Sequence, residues 1–348
     1  MFSIFTLISV KKLCYNITYV SNNLIMIQQE VIMKILITGG SGFIGSNLVS
    51  KLIENKENQV IVLDNLSTGS EKNIQEFQDN DNFQFFKYDI TDYSIVDFIK
   101  KLDVDEIYNL ACPASPKYYL KHPIETWESS VLGIRNLLES IKGTKIKMIH
   151  SSTSEVYGDA LEYPQTENYW GNVNPIGVRA CYDEGKRAAE SLIYDYIRQY
   201  NVDVRVIRIF NTYGPKMNPL DGRIISNFIM QALNNDDITI YGTGEQTRSF
   251  CFVDDTIDFM VKLMNSNNRN DSPINVGNPY ELTVNYVAKY IKEKIGSSSQ
   301  IVYLNAMSDD PVKRKPNIDK AKSYIDWTPC VSFENGIKLT IEYFKNNK

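Results

Sequence analysis

The stretch KILITGGSGFIG (residues 34–45) decides the fold of this chain, because a short β-branched run ends in a glycine-rich turn that opens a helical pattern. Gly39, Gly42 and Gly45 are spaced as in the dinucleotide-binding turn between a strand and a helix. Small residues there permit a tight turn, close approach to a pyrophosphate and close helix packing. The helix would begin near Phe43 and Ile44, and its free N–H groups would bind phosphate, so both residues join the predicted cofactor site.

Acidic residues close the next two predicted strands. QVIVLD (59–64) ends at Asp64, roughly 20 residues after Gly45, where a carboxylate can bind the hydroxyls of an adenosine ribose. No arginine follows in DNLSTGS (64–70), so the pattern favours NAD over NADP. Asn65 lies beside this carboxylate, and Asp89 and Ile90, at the end of the third strand, are expected at the adenine.

The chain alternates short β-branched runs with amphipathic stretches as far as residue 210. Further strands are expected at 106–111, 147–152 and 204–210, and long helical patterns cover 125–142 and 179–200. This rhythm predicts an α/β protein with a Rossmann-type, doubly wound parallel sheet in an NAD-binding domain over 33–210. The loop-rich texture after residue 210 predicts a smaller, substrate-binding C-terminal lobe over 211–348, with some segments returning to the Rossmann core.

Composition limits the partners. A net charge of -5 without any basic run predicts no nucleic-acid partner. Five widely spaced cysteines suit reduced thiols in the cytoplasm, and with only two histidines besides, we expect no metal site. Residues 1–32 begin with an apolar run too short to span a bilayer, so we expect a disordered N-terminal extension and no membrane partner.

Tyr182 and Lys186 form a Y-x-x-x-K pattern, whose spacing of four places both side chains on one helix face. They follow a strand ending in SSTSEVYG (151–158), which puts Thr153 and Glu155 at the carboxyl edge of the sheet, where open α/β sheets bind ligands. A neighbouring ammonium and a cationic nicotinamide ring would favour the Tyr182 phenolate. Tyr182 is therefore the predicted acceptor of a proton from a sugar hydroxyl.

Together these motifs resemble the extended short-chain dehydrogenase/reductase family of nucleotide-sugar enzymes, and from Met33 to the C-terminus one branch fits best. The UDP-glucuronic acid decarboxylases resemble this chain in ACPASP (111–116), WGNVNPIGVRACYDEGKR (170–187), IFNTYGPKM (209–217), DGRIISNFIMQAL (221–233), GEQTRSFCFVDD (244–255) and DDPVKRKPNI (309–318). The resemblance implies NAD-dependent conversion of UDP-glucuronate to UDP-xylose through a 4-keto intermediate. It also implies a homodimer formed through the two long helices.

The same resemblance implies roles for single residues. NAD would be held by the glycine turn, Asp64, Tyr182 and Lys186. The sugar would lie among Thr153, Glu155, Tyr182 and Arg248. The remaining substrate contacts, mainly to UDP, would come from Tyr118, Asn211, Arg223, Tyr241 and Arg314, and the arginine forks among them suit a diphosphate or a carboxylate.

Two other functions stay open at this point. A 4,6-dehydratase or 4-epimerase acting on a nucleotide sugar would share the oxidation step, but dehydratases characteristically carry Thr-Asp-Glu where this chain has Thr153-Ser154-Glu155. Ser154 therefore argues against dehydration. A catalytically silent NAD-binding scaffold would need degraded catalytic residues, whereas Thr153, Tyr182 and Lys186 are intact. The sequence also leaves open whether UDP-xylose or a 4-keto pentose is released.

Overall fold

A computed structural model of the chain describes residues 32–268, 272–305 and 314–347, together with the backbone of two strands at 15–20 and 23–28. The strands are β1 (Tyr15–Val20), β2 (Asn23–Gln28), β3 (Met33–Thr38), β4 (Asn58–Asp64), β5 (Phe83–Lys87), β6 (Glu106–Asn109), β7 (Lys147–Thr153), β8 (Asp203–Ile209), β9 (Thr212–Tyr213), β10 (Ile238–Tyr241), β11 (Thr247–Ser249), β12 (Cys251–Phe252), β13 (Ile274–Val276), β14 (Glu281–Thr283) and β15 (Ile301–Leu304). The helices are α1 (Phe43–Ile53), α2 (Ile95–Leu102), α3 (Pro116–Tyr119), α4 (Pro123–Glu128), α5 (Ile134–Ile141), α6 (Ala180–Tyr200), α7 (Ile224–Asn234), α8 (Val253–Asn265), α9 (Val284–Ile295), α10 (Asp319–Ile325) and α11 (Phe333–Asn346).

Seven parallel strands form the central sheet, in the order β13-β8-β7-β6-β3-β4-β5. The chain runs outward from β3 through β4 to β5, then crosses back to β6 and runs outward on the other side. The order therefore reverses between β3 and β6, and such a switch point opens a crevice at the carboxyl ends of the strands. The predicted doubly wound, Rossmann-type sheet is confirmed.

The two faces of the sheet bury separate apolar cores. Ile35 and Ile37 of β3 face one core with α1 and the helices α7, α8, α9 and α11, whereas Leu36 faces the other with α2, α5 and α6. Successive side chains of a strand point to opposite faces, and here both faces are covered. This explains why the central strands are almost continuously apolar.

The segment after residue 210 packs onto the same sheet. Strand β13 pairs with β8 at the sheet edge, and α8 packs against α1 and β7. Three two-stranded sheets, β10-β15, β11-β14 and β12-β9, complete this part of the chain. Residues 274–276 thus belong to the central sheet, while the division of the chain into domains at residue 210 stays a prediction.

The helical pattern over 125–142 is one element in the sequence and three in the structure. A wide π turn at Ser129–Gly133 separates α4 from α5. Gly133 has no room for a side chain, because a Cβ there would lie 2.4 Å from Cδ1 of Ile90. The extra residue in a π turn shifts the helix face. As a result Ser130 lies 3.2 Å, Oγ to Sγ, from Cys112 at the floor of the crevice.

The N-terminal extension contains a hairpin where we expected a disordered arm. Strands β1 and β2 pair antiparallel along six residues each, and their sequences YNITYV and NLIMIQ are rich in residues that favour strands. Neither strand joins the seven-stranded sheet. Residues 1–14, 21–22 and 29–31 lie outside the described part of the chain. Of the helices that the structure describes, none is long and apolar enough to cross a membrane.

Deletion of residues 1–32 is expected to leave folding and ligand binding unchanged, because β3 takes its sheet partners from β4 and β6. The melting temperature of the chain starting at Met33 should match that of the full chain. Loss of soluble protein on truncation would contradict this expectation.

Candidate active site

A cavity of about 1740 Å³ lies at the carboxyl ends of the central strands. It exceeds the range of about 300–1000 Å³ that is typical of small-ligand sites, so it has room for a dinucleotide and a second nucleotide. The sequence-predicted residues all line it: Gly39, Gly42, Phe43, Ile44, Gly45, Asp64, Asn65, Asp89, Ile90, Tyr118, Thr153, Glu155, Tyr182, Lys186, Asn211, Arg223, Tyr241, Arg248 and Arg314.

The glycine turn at one end of the cavity permits contacts that a side chain would block. Gly39 has a φ of 74°, and a Cβ there would lie 2.7 Å from the carbonyl carbon of Leu110. A Cβ at Gly45 would lie 2.2 Å from the carbonyl oxygen of Gly39. Helix α1 starts directly after Gly42, which has no side chain to cover the first N–H groups of the helix. This end of the cavity can therefore bind an anionic pyrophosphate.

Asp64 connects the end of β4 to the glycine turn. Its Oδ2 accepts a hydrogen bond from the Ser41 N–H at 2.9 Å, and its Oδ1 accepts one from the Leu66 N–H at 2.8 Å. Burial raises the pKa of the Asp64 carboxyl, and these two N–H groups oppose that shift. Asn65 donates to Oδ2 of Asp89 at 2.8 Å, so the ends of β4 and β5 are linked.

Tyr182 lies buried in the first turn of α6, stacked on Tyr119 with ring centroids 5.3 Å apart. Burial raises the pKa of the Tyr182 phenol, and a hydrogen bond with Thr153 only partly opposes the shift. One turn later, Nζ of Lys186 donates to the Ser151 carbonyl at 2.7 Å. Burial thus outweighs the Thr153 hydrogen bond, and the stabilisation of the phenolate by the Lys186 ammonium together with a cationic nicotinamide ring stays a prediction.

Glu155 is held by two guanidinium groups near Tyr182. Arg314 donates to both carboxylate oxygens at 2.5 and 2.8 Å, and Arg179 donates to Oε2 at 2.6 Å. Burial alone would raise the pKa of Glu155, but Arg314 and Arg179, with Arg248 further away, hold it below its usual value. Glu155 thus stays ionised and accepts hydrogen bonds. We expected Arg314 at the UDP, whereas it lies on Glu155; residues 309–313 of its motif lie outside the described part of the chain.

Tyr118, expected at the substrate, points to the cofactor side of the cavity. Its hydroxyl donates to Oε2 of Glu125 at 2.8 Å, its ring stacks on His122, and Ser67 and Asp89 are near its hydroxyl. Tyr119 occupies the place against Tyr182 instead. Nothing in the sequence separates the two adjacent tyrosines, because the short helix α3 gives no clear apolar periodicity.

The sequence did not predict Arg179 and Asp183 as site residues. Both lie close to Tyr182 in the chain and are spaced by four residues from each other, so that Arg179 Nε lies 3.9 Å from Oδ2 of Asp183. Their positions one turn before and one residue after Tyr182 were the available signal. Their contacts with Glu155 and with each other depend on tertiary packing.

Four further predicted residues reach the cavity from the part of the chain after β8. Arg223 directly precedes α7 and donates from Nη2 to the Ala114 carbonyl at 3.1 Å, and Arg248 lies buried in β11. Tyr241 ends β10 and is 40% exposed, while Asn211 lies between β8 and β9. The C-terminal part of the chain therefore supplies the polar and cationic wall of the cavity.

A family model and individual known proteins both match this chain over most of its length. Residues 36–340 match the model of a family described as GDP-mannose 4,6 dehydratase. The chain is 48% identical over 313 residues to UDP-glucuronic acid decarboxylase 3 of Arabidopsis thaliana, covering 90% of this chain and 89% of that protein. It is 47% identical to UDP-glucuronic acid decarboxylase 1 of Xenopus tropicalis, covering 90% and 72% of the two chains.

The fold is also similar to that of a solved enzyme with bound ligands. UDP-glucuronic acid 4-epimerase from Bacillus cereus, in complex with UDP-glucuronic acid and NAD, superposes with a TM-score of 0.83 at 28% identity, covering 91% of this chain and 100% of that one. The resemblance stated from the motifs is thereby confirmed. The chain belongs to the GDP-mannose 4,6 dehydratase family of extended short-chain dehydrogenases/reductases and, within it, to the UDP-glucuronic acid decarboxylases.

Proposed function

We propose that this chain catalyses the NAD-dependent decarboxylation of UDP-glucuronate to UDP-xylose. The observation that carries the proposal is one cavity with a pyrophosphate-binding turn at one end and Tyr182, Thr153 and a group of arginines at the other. The decarboxylase names of the Arabidopsis and Xenopus relatives support the reaction. The ligands of the Bacillus cereus epimerase support the cofactor and the UDP-sugar substrate.

The residues of the glycine turn fit NAD. Gly39 and Gly45 keep the backbone open, and the start of α1 offers N–H groups to the pyrophosphate. Asp64 suits the adenosine ribose and would repel a 2′-phosphate. When bound, NAD supplies the acceptor and later the donor of the hydride at C4 of the sugar.

In the proposed mechanism Tyr182 accepts the proton of the C4 hydroxyl during oxidation and returns it at the end. Burial disfavours the phenolate, and the Lys186 ammonium one turn later on α6, together with the positive charge that bound NAD would supply, would oppose that effect. The C4 ketone lies β to the carboxylate, so it accepts the electron pair when carbon dioxide leaves. Thr153 and Tyr182 then donate hydrogen bonds to the developing oxyanion.

The arginines suit the substrate carboxylate, which would be costly to bury unpaired. We assign that carboxylate to Arg248, and we assign Arg314 and Arg179 to Glu155, which would orient water or a proton near C5. Arg248 would serve to position this carboxylate. An ion pair between Arg248 and the carboxylate that became stronger toward the transition state would slow the reaction, because the carboxylate is lost as carbon dioxide. Asn211, Arg223 and Tyr241 remain the proposed contacts of UDP, and Tyr118 moves to the cofactor side.

A 4-epimerase is the second candidate, since it shares the oxidation step and the fold. Identity of 28% to the Bacillus cereus epimerase against 48% to an Arabidopsis decarboxylase favours decarboxylation. Ser154, which is buried, argues against a dehydratase. A silent scaffold is disfavoured because Thr153, Tyr182 and Lys186 come together at one end of the cavity.

We further propose a homodimer formed through the helices before and after β7. Three apolar side chains at helical spacing support it: Ile124 and Trp127 on α4 and Leu132 in the π turn, with exposed fractions of 68%, 39% and 42%. Exposed apolar residues clustered on one face are typical of subunit contacts. A cytoplasmic location is also proposed, and the four cysteines that the structure describes, all free thiols, support it.

Incubation with UDP-glucuronate and NAD, without added reductant, is expected to release carbon dioxide and a UDP-pentose, read by mass spectrometry. UDP-glucose should remain unchanged. UDP-galacturonate as product would favour the epimerase, and a 4-keto-6-deoxy sugar from UDP-glucose would favour the dehydratase. A 4-keto pentose with accumulating reduced cofactor would show early product release.

Tyr182→Phe should keep its binding of NAD but lose roughly 10² to 10⁴-fold in turnover, the usual effect of losing an acid–base group.

Asp64→Ala is expected to weaken NAD binding and to narrow the preference for NAD over NADP, because the carboxylate that repels a 2′-phosphate is lost. The measurement is the ratio of the two dissociation constants. Glu57→Ala, an exposed carboxylate just before β4, is the matched control. An unchanged ratio in Asp64→Ala would remove Asp64 from cofactor selection.

Leu132→Glu is expected to convert the dimer to a monomer, because it places an unpaired charge in an apolar contact. Light scattering coupled to gel filtration would measure the mass. Leu161→Glu, which changes a leucine that is 82% exposed in a loop, should keep the dimer. A monomeric parent chain at micromolar concentration would contradict the dimer.

A further inference from the structure

The charged groups beside Tyr182 include one carboxyl that the mechanism above does not use. Arg179 contacts two acidic side chains, Glu155 through Nη2 at 2.6 Å and Asp183 through Nε at 3.9 Å. Glu155 is fully paired, since Arg314 covers it from the other side. Among the described residues, Asp183 has only the long contact with Arg179, and its Oδ1 is buried without a hydrogen-bond partner.

Asp183 is therefore poorly suited to carry a charge. It is 8% exposed, and burial together with repulsion by Glu155 raises its pKa to about 7, although Arg179 and Arg314 oppose that shift. The other groups that face it are Glu184 on the same helix, which repels it, and the neutral side chains of Tyr119 and Cys181. Near neutral pH this carboxyl can take up or lose a proton.

The proposed substrate brings a further negative charge into this cluster. We propose that Asp183 is a positioning residue that becomes protonated when UDP-glucuronate binds, so that the substrate carboxylate at Arg248 and the Glu155 carboxylate share this group of arginines without a third negative charge. The proposal rests on the proposed function, because it needs a substrate that carries a carboxylate. It makes Asp183 a determinant of the preference for uronic acids over neutral sugars.

The sign of the pH dependence follows from linkage. A carboxylate placed near Asp183 favours its neutral form, so binding takes up a proton when Asp183 is ionised beforehand. Below neutral pH Asp183 is already protonated and affinity should be flat. Above neutral pH the dissociation constant for UDP-glucuronate should rise by up to about tenfold per pH unit, the limit for one proton.

Calorimetric titration of the NAD-bound Tyr182→Phe chain, which should turn over too slowly to consume the substrate during the measurement, would test this between pH 6 and 9. At pH 8, two buffers that differ in ionisation enthalpy should reveal uptake of a fraction of one proton with UDP-glucuronate. UDP-xylose carries the same diphosphate without the carboxylate. Its binding should show neither proton uptake at Asp183 nor the rise in dissociation constant above neutral pH. This comparison needs no change at Asp183.

Asp183→Asn, a substitution of similar size, should abolish the pH dependence and bind UDP-glucuronate at pH 8 as tightly as at pH 6. In the otherwise active chain it should flatten the pH profile of KM for UDP-glucuronate. Glu184→Gln, which neutralises the neighbouring carboxylate on α6, should keep the rise.

An affinity for UDP-glucuronate that is flat across this range, or an equal slope after Asp183→Asn, would overturn the proposal. Failure of the unmodified chain to release carbon dioxide from UDP-glucuronate would overturn the proposed function instead. The two failures are therefore measured separately.

Discussion

The pairing of Glu155 with Arg314 and Arg179 is the interaction on which the rest of the site depends. It joins the turn after β7, the loop before α6 and a segment that lies 159 residues further along the chain. The Glu155 side chain is only 14% exposed. Removing one partner of such a buried pair costs about 3–5 kcal/mol, because the other charge stays buried. The C-terminal segment is held over the sheet edge by this contact and by the hydrogen bonds between Gln165 and Lys315.

A second polar network links the ends of β7 and β8 to helix α6 and to strand β13. Ser152 donates to Glu190, which also accepts two hydrogen bonds from Arg208 at 3.0 and 2.7 Å. Arg208 donates to the Tyr157 hydroxyl, which in turn donates to Asn275 of β13. Helix α6 is thus tied to β7 and β8 at Glu190 and to the turn after β7 through Arg179. Tyr182 lies on the helix between these two ties, so its position is set by polar contacts on both sides.

The sequence predicted those parts of the fold that depend only on residues close together along the chain. A strand, a glycine turn and a helix follow one another within residues 33–53, so spacing alone indicated the cofactor end of the cavity. The placement of Tyr182 and Lys186 on one face of a helix was predictable for the same reason, because the two residues are only four positions apart. The partner of Arg314 was not predictable, because no spacing rule connects residue 314 to Glu155. The stacking of Tyr119 on Tyr182 was not predictable for a related reason, since a rotation of one residue in a short helix changes which ring faces the site.

The paired state of Glu155 also bears on how a single fold can release a carboxylate that it must first bind. Free guanidinium groups would hold a substrate carboxylate tightly and stabilise the ground state, which slows a step that removes that charge. Arg179 and Arg314 are already neutralised in part by Glu155, so the field that they exert on a further anion is reduced. In the proposed mechanism Arg248, which lies buried in β11, orients the sugar through its carboxylate. In the proposed mechanism the ketone at C4 would supply the driving force, with Thr153 and Tyr182 as its hydrogen-bond donors, and the arginines would determine only where the carboxylate lies when it leaves.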